Sequence, residues 1–148
     1  MADAVDSATG VAAPLLGGFT LTLIGLIVSG PEDFRWAGWA LLLLTLAVLL
    51  FVTCVQAGFW ARRSRPESFV QLAEYYATST GSYRIWVRVA SDTYDTAIVL
   101  LFCGLGAVLA PVGQRDVGLR WVASGMCFAA AVAEVVWHFV ARRRGRAQ

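Results

Sequence analysis

The chain has no lysine: all twelve of its basic residues are arginine. Charge of either sign is scarce, at 15% of 148 residues, where soluble domains carry roughly 25%. Hydrophobic residues make up 58% of the chain and the mean hydropathy is +0.65. This deficit excludes a chain solvated mainly by water, and the apolar runs leave no length for a separate soluble domain. Histidine occurs once, as His138. With no second histidine, no H-E-x-x-H and no Cys-x-x-Cys, the sequence offers no metal, cofactor or catalytic assignment, and we expect no enzyme. The three cysteines, Cys54, Cys103 and Cys127, all lie in apolar runs. An odd number of membrane-buried thiols is not a disulfide framework, and small packing residues are expected there. No basic region precedes the first apolar run, so a cleaved signal peptide is not expected.

Long hydrophobic runs are what the chain does have. Spans are expected near 11–29, 36–60, 93–112 and 118–141, joined by a segment at 61–92. About 20 apolar residues cross a hydrocarbon layer of about 30 Å. Pro14 falls in the first turn of the first run, where proline is tolerated, and Gly30-Pro31 ends it. Trp36, Trp39 and Trp60 bracket the second run like an aromatic belt. The short connection at 30–35 makes the first two helices an antiparallel hairpin. The expected architecture is all-α: one integral membrane four-helix bundle.

In the middle segment, Ser64-Arg65-Pro66-Glu67 has the form of a capped helix start, with Phe69, Leu72, Ala73 and Tyr76 at helical spacing behind it. A short amphipathic helix on the cytoplasmic membrane surface is expected there. Tyr83, Ile85, Val87 and Val89 alternate as in a strand. A helix accounts for them better. It sets Arg84, Arg88, Asp92 and Thr96 on one face and leaves no unpaired strand edge beside the membrane. The third helix is therefore expected from Ser82 to Val112, projecting into the cytoplasm.

The arginines orient the chain. Four spans put the N-terminus, the middle segment and the C-terminus on one side. That side holds Arg62, Arg63, Arg65, Arg84, Arg88, Arg142, Arg143, Arg144 and Arg146, and the other side holds Arg35, Arg115 and Arg120. Positive residues stay inside, so both termini are expected to be cytoplasmic.

The last span carries a narrow polar stripe: Arg120, Ser124, Cys127, Ala131, Glu134, His138 and Arg142 fall within about a quarter of a helix circumference. Such a stripe is either a tight helix–helix seam with interhelical hydrogen bonds or the wall of a water-filled path. Glu134 and His138, one turn apart, both ionise, and lipid solvates neither. Ser124, Cys127, Glu134 and His138 are thus pore-lining candidates, with an intrahelical Glu134–His138 bond as the structural alternative. Asp92 and Asp95 are expected at the cytoplasmic end of the third helix, with Asp92 outside the membrane at a depth that matches Glu134 poorly. If the stripe lines water, conduction should change between about pH 5 and 8, where histidine titrates.

Arginine's planar fork suits phosphate, although base composition of the gene also accounts for the missing lysine. Arg62, Arg63, Arg65, Arg84 and Arg88 are candidates for an anionic ligand surface, and a solvated face is the alternative. Small residues mark expected packing faces: Gly18, Thr22, Gly25 and Ser29 on the first helix, and Gly106 with Ala110 and Cys103 with Ala107 on the third. Thr45 and Gln56 share a face of the second.

The tryptophan-bracketed second span, its exit "CVQAGFWARR" at 54–63 and the arginine tail resemble small four-span membrane proteins of actinobacteria. The layout is also similar to the compact membrane effectors of anti-phage defence operons, such as the channel subunit of Hailong-type systems. That resemblance implies a homo-oligomeric channel in the bacterial inner membrane. It also implies a nucleotidyltransferase partner and a basic cytoplasmic face for an oligonucleotide or nucleotide ligand. A non-conducting scaffold or accessory subunit of a larger membrane complex is the alternative.

Overall fold

The structure is a computed structural model and describes residues 8–63, 80–111 and 117–145. Four long helices dominate the described residues: α1 (Ala13–Ser29), α2 (Ala37–Arg63), α3 (Thr80–Leu109) and α4 (Val117–Gly145). A π-helical turn, Ala8–Ala12, leads into α1. Each helix is long and apolar enough to cross a membrane, over Thr9–Ser29, Ala37–Ala61, Ile85–Leu109 and Val117–Trp137. The chain is an all-α, multi-pass membrane protein with a four-helix bundle. The amphipathic helix expected after Ser64, and Arg65 with it, lie outside the described residues.

The helix ends follow local chemistry. Pro14 comes just after the π-helical turn, and with no N–H it cannot bond to that preceding turn, which is where the helical pattern changes. After Gly30 the chain turns through a short 3-10 helix, Pro31–Asp33, closed by Asp33 N–H donating to the Gly30 carbonyl at 3.2 Å. The alternating stretch at 83–89 is helical, as expected, because a helix satisfies its own backbone groups next to lipid. Helix α3 stops at Leu109, since Pro111 disfavours helical geometry in the residue before it. Its apolar span begins at Ile85, upstream of the expected start at 93. The difference matters below, because it brings Asp92 inside the candidate span together with Asp95.

The helices stand in a row. Helix α1 packs on α2, α2 on α3 and α3 on α4; α1 grazes α3, and among the described residues α4 has an extended contact with α3 alone. In α2 the buried positions are Ala40, Leu44, Ala47, Phe51, Cys54, Ala57 and Ala61. Steps of three and four residues give a continuous seam of the coiled-coil kind. Against it lie Ala90, Ala97, Leu101 and Val108 of α3 and Ala13, Thr20 and Ile27 of α1. Small side chains facing large ones let the backbones approach, which is how helices associate without a water-driven hydrophobic force. At Gly104 a Cβ would stand 2.7 Å from a Leu44 methyl, so no larger residue fits there unshifted.

The small-residue stripe of α1 is not the packing face expected for it. Gly18, Thr22, Gly25 and Ser29 are exposed, and the buried face is Ala13, Thr20 and Ile27. Larger side chains at seven-residue steps bury more contact area than the glycines do. The hydroxyls of the stripe need no neighbour: Thr22 donates to the Gly18 carbonyl at 3.1 Å and Ser29 to that of Gly25 at 2.8 Å. On α3 the expectation holds, with Gly106, Ala107 and Ala110 buried and Cys103 half-buried. Thr45 and Gln56 lie on the exposed side of α2.

Candidate functional site: the charged seam of α3 and α4

Ser124 anchors the seam. Its side chain is 1% exposed, and its hydroxyl donates to the Gly106 carbonyl at 2.7 Å. A Cβ on Gly106 would lie 2.9 Å from the Phe128 ring, so α4 fits closely over this glycine. Ser124 and Ala131 of the polar stripe are therefore in a helix–helix seam, and Cys127 is half-buried beside them. Ser124→Ala should weaken the bundle by about 0.6 kcal/mol, the usual size of an interhelical bond in a membrane. Denaturation of the purified protein by sodium dodecyl sulphate measures this. An unchanged midpoint would mean that the bond holds nothing.

The Ser124–Gly106 pair also sets the register. In antiparallel helices, steps up one match steps down the other. Counting from that pair, Glu134 stands about level with Thr96, His138 with Asp92 and Arg142 with Arg88. Helical periodicity puts Arg88, Asp92 and Asp95 on the same face of α3 as Gly106, and His138 and Arg142 on the same face of α4 as Ser124. Half of the α3–α4 seam is thus bordered by ionisable residues from both helices. Asp92, Asp95 and Glu134 are half-buried there. Among the described residues, no three metal-ligating side chains converge.

The candidate span Ile85–Leu109 contains Asp92, which the sequence-based expectation placed just before the span. Trp39 and Trp60, on the two ends of α2, are 21 residues apart, about 31 Å along a helix, which matches a hydrocarbon core of about 30 Å. Trp121 joins the belt at the Trp39 end and Trp86 the belt at the Trp60 end. Tyr94 packs edge-on against Phe51 of α2 with ring centroids 6.1 Å apart. Phe51 is within one turn of the midpoint of the Trp39–Trp60 interval, and Asp95, next to Tyr94, falls near the middle of the candidate span Ile85–Leu109, while Glu134 falls near the end of Val117–Trp137. Cys54 is buried in the α2 seam and half-buried Thr93 donates within α3 to the Val89 carbonyl at 2.7 Å. Sequence reasoning missed the cluster because hydropathy alone cannot show which turn of α3 faces which turn of α4.

The arginines gather at one end of the row. The end of α2 carries Arg62 and Arg63, the first turns of α3 carry Arg84 and Arg88, and the last turns of α4 carry Arg142, Arg143 and Arg144. These positions fall within about two turns of one level by the same register. Arg63 and Arg88 are exposed. The ligand candidates Arg62, Arg63, Arg84 and Arg88 are thereby brought to one end of the fold. Below them lie the acidic residues.

Fold and site define a class: a small multi-pass membrane protein with ionisable residues inside its helix seam. Comparison with known proteins adds no narrower kinship, since no family model, no curated protein and no solved structure matches the chain.

Proposed function

We propose that the protein is a homo-oligomeric membrane channel opened from its arginine-rich end, with the α3–α4 seam as its ion path. The observation that carries this is the juxtaposition of Asp92 and Asp95 on α3 with Glu134 and His138 on α4 at matching depth. Ionisable residues at mid-membrane are costly and mark ion or proton pathways. In one chain the path is blocked where Ser124 bonds to Gly106. Conduction therefore requires α4 to shift against α3, or a junction between copies. Two exposed features suit a second copy: the Gly18–Thr22–Gly25–Ser29 stripe of α1 and Gln56 within the α2 span.

By the positive-inside rule the arginine-rich end is cytoplasmic, and both termini with it. In this reading Arg62, Arg63, Arg65, Arg84 and Arg88 receive an anionic trigger, such as an oligonucleotide made by a partner nucleotidyltransferase, and no catalysis or cofactor is involved. The purified protein in vesicles should pass cations or protons on addition of the trigger. Flux should change between about pH 5 and 8, where histidine titrates. A correctly folded oligomer that passes nothing at any pH, with or without oligonucleotide, would overturn the proposal.

The sealed contact at Ser124 favours a second reading, a non-conducting subunit of a larger complex. A stable heteromeric partner after gentle extraction, together with silent vesicles, would select it.

A further inference from the structure

Arg63 does not extend freely into solvent. Its guanidinium lies over the Trp60 ring, 5.7 Å from the centroid. Trp60 in turn stacks on Trp86 of α3, with centroids 6.3 Å apart and planes at 23°. Phe59 meets Trp60 edge-on at 6.2 Å. An aromatic stack across two helices therefore supports one arginine at the end of the Ala37–Ala61 span. A guanidinium resting on a ring leaves its in-plane N–H donors pointing outward, already oriented for a planar or tetrahedral oxyanion.

Below Arg63 the same face of α2 carries Phe59, Gln56, Val52 and Leu49 at helical spacing, and all four are exposed. The face thus reads, from the membrane surface inward, as a cationic head over a strip that is apolar except at Gln56. That order is complementary to an amphiphile with an anionic head and hydrocarbon tails. An oligonucleotide has no part that uses the apolar strip. The indoles also sit at the end of the span, where lipid phosphates lie.

We propose that Arg63, held on the Trp60–Trp86 stack, binds the phosphate of an anionic phospholipid whose acyl chains lie along Phe59, Val52 and Leu49. Arg62, Arg84 and Arg88, at the same end, add the field that favours a net negative headgroup. This site is independent of whether the chain conducts.

The test is native mass spectrometry of the full chain released from vesicles of phosphatidylcholine with a minor fraction of phosphatidylglycerol. Wild type should retain phosphatidylglycerol about fivefold over its share in the vesicle, the preference one arginine supplies. Arg63→Gln and Trp60→Leu should each remove most of that preference, while Arg35→Gln, at the opposite end, should keep it. Trp60→Leu leaves the buried seam residues of α2 intact and serves if Arg63→Gln fails to fold. Full retention in both variants overturns the site. Inorganic phosphate or a short oligonucleotide added before release should leave the lipid bound. Displacement of the lipid by either, or capture of the oligonucleotide with no lipid preference, would assign the arginine to a soluble ligand and overturn the proposal.

Discussion

Vesicles carrying Asp95→Asn together with Glu134→Gln should lose about tenfold or more of the cation or proton flux of wild type, the equivalent of roughly 1.4 kcal/mol at the barrier. The two carboxyl groups border one level of the seam inside the candidate spans, where a permeating cation has lost part of its water and needs a compensating charge. Each amide keeps the size of the acid it replaces, so packing against Tyr94 and α4 is retained and a folding defect is not expected. The single variants should divide the effect unequally. Glu134 lies toward the edge of its stripe, while Asp95 falls on the centre of the α3 face that meets α4. Flux unchanged in the double variant would take the seam out of the ion path. A loss of flux accompanied by collapse of the fold would show instead that the carboxylates are structural.

Gly106→Leu should detach α4 from the rest of the bundle. A side chain at this position starts 2.9 Å from the Phe128 ring, closer than Cβ contacts occur, and the same turn supplies the carbonyl that Ser124 binds. Overpacking of a tight contact costs about 1–3 kcal/mol, and here the hydrogen bond is forced apart as well. Among the described residues helix α4 has an extended contact only with α3, so no second seam there compensates. The denaturation midpoint should drop sharply, and a cysteine pair placed across the α3–α4 seam should stop crosslinking. Phe128→Ala should recover part of the loss when combined with Gly106→Leu, because it vacates the space the leucine enters. Wild-type stability in Gly106→Leu, or no rescue by Phe128→Ala, would contradict the close fit. If the seam gates conduction, the same variant should leak without a trigger.

These two sites differ in how far the chain announces them. The polar stripe of α4 was visible in sequence, and its seam meaning holds at Ser124, which is sealed against Gly106, while Glu134 lies half-buried about level with Asp95. Periodicity finds such a stripe but does not say where along it the neighbouring backbone comes close. That depends on Gly106, a residue on another helix. The small stripe of α1 shows the same limit. Its spacing is ideal for close packing, yet the helix buries Ala13, Thr20 and Ile27, because contact area and the shape of α2 decide which face wins.

What the sequence determined by itself is the solvent and the number of crossings. Apolar runs of about 20 residues have no stable place except a bilayer, and in a bilayer a backbone must satisfy its own hydrogen bonds, so α-helices follow. The grouping of arginines follows from the same alternation of crossings. Tertiary structure alone decided the depths. The antiparallel register of α3 on α4 sets Asp92 about level with His138 and Asp95 about level with Glu134. The physical reason is that register is set by where side chains and glycines interlock between helices, and hydropathy along a single helix carries no record of that.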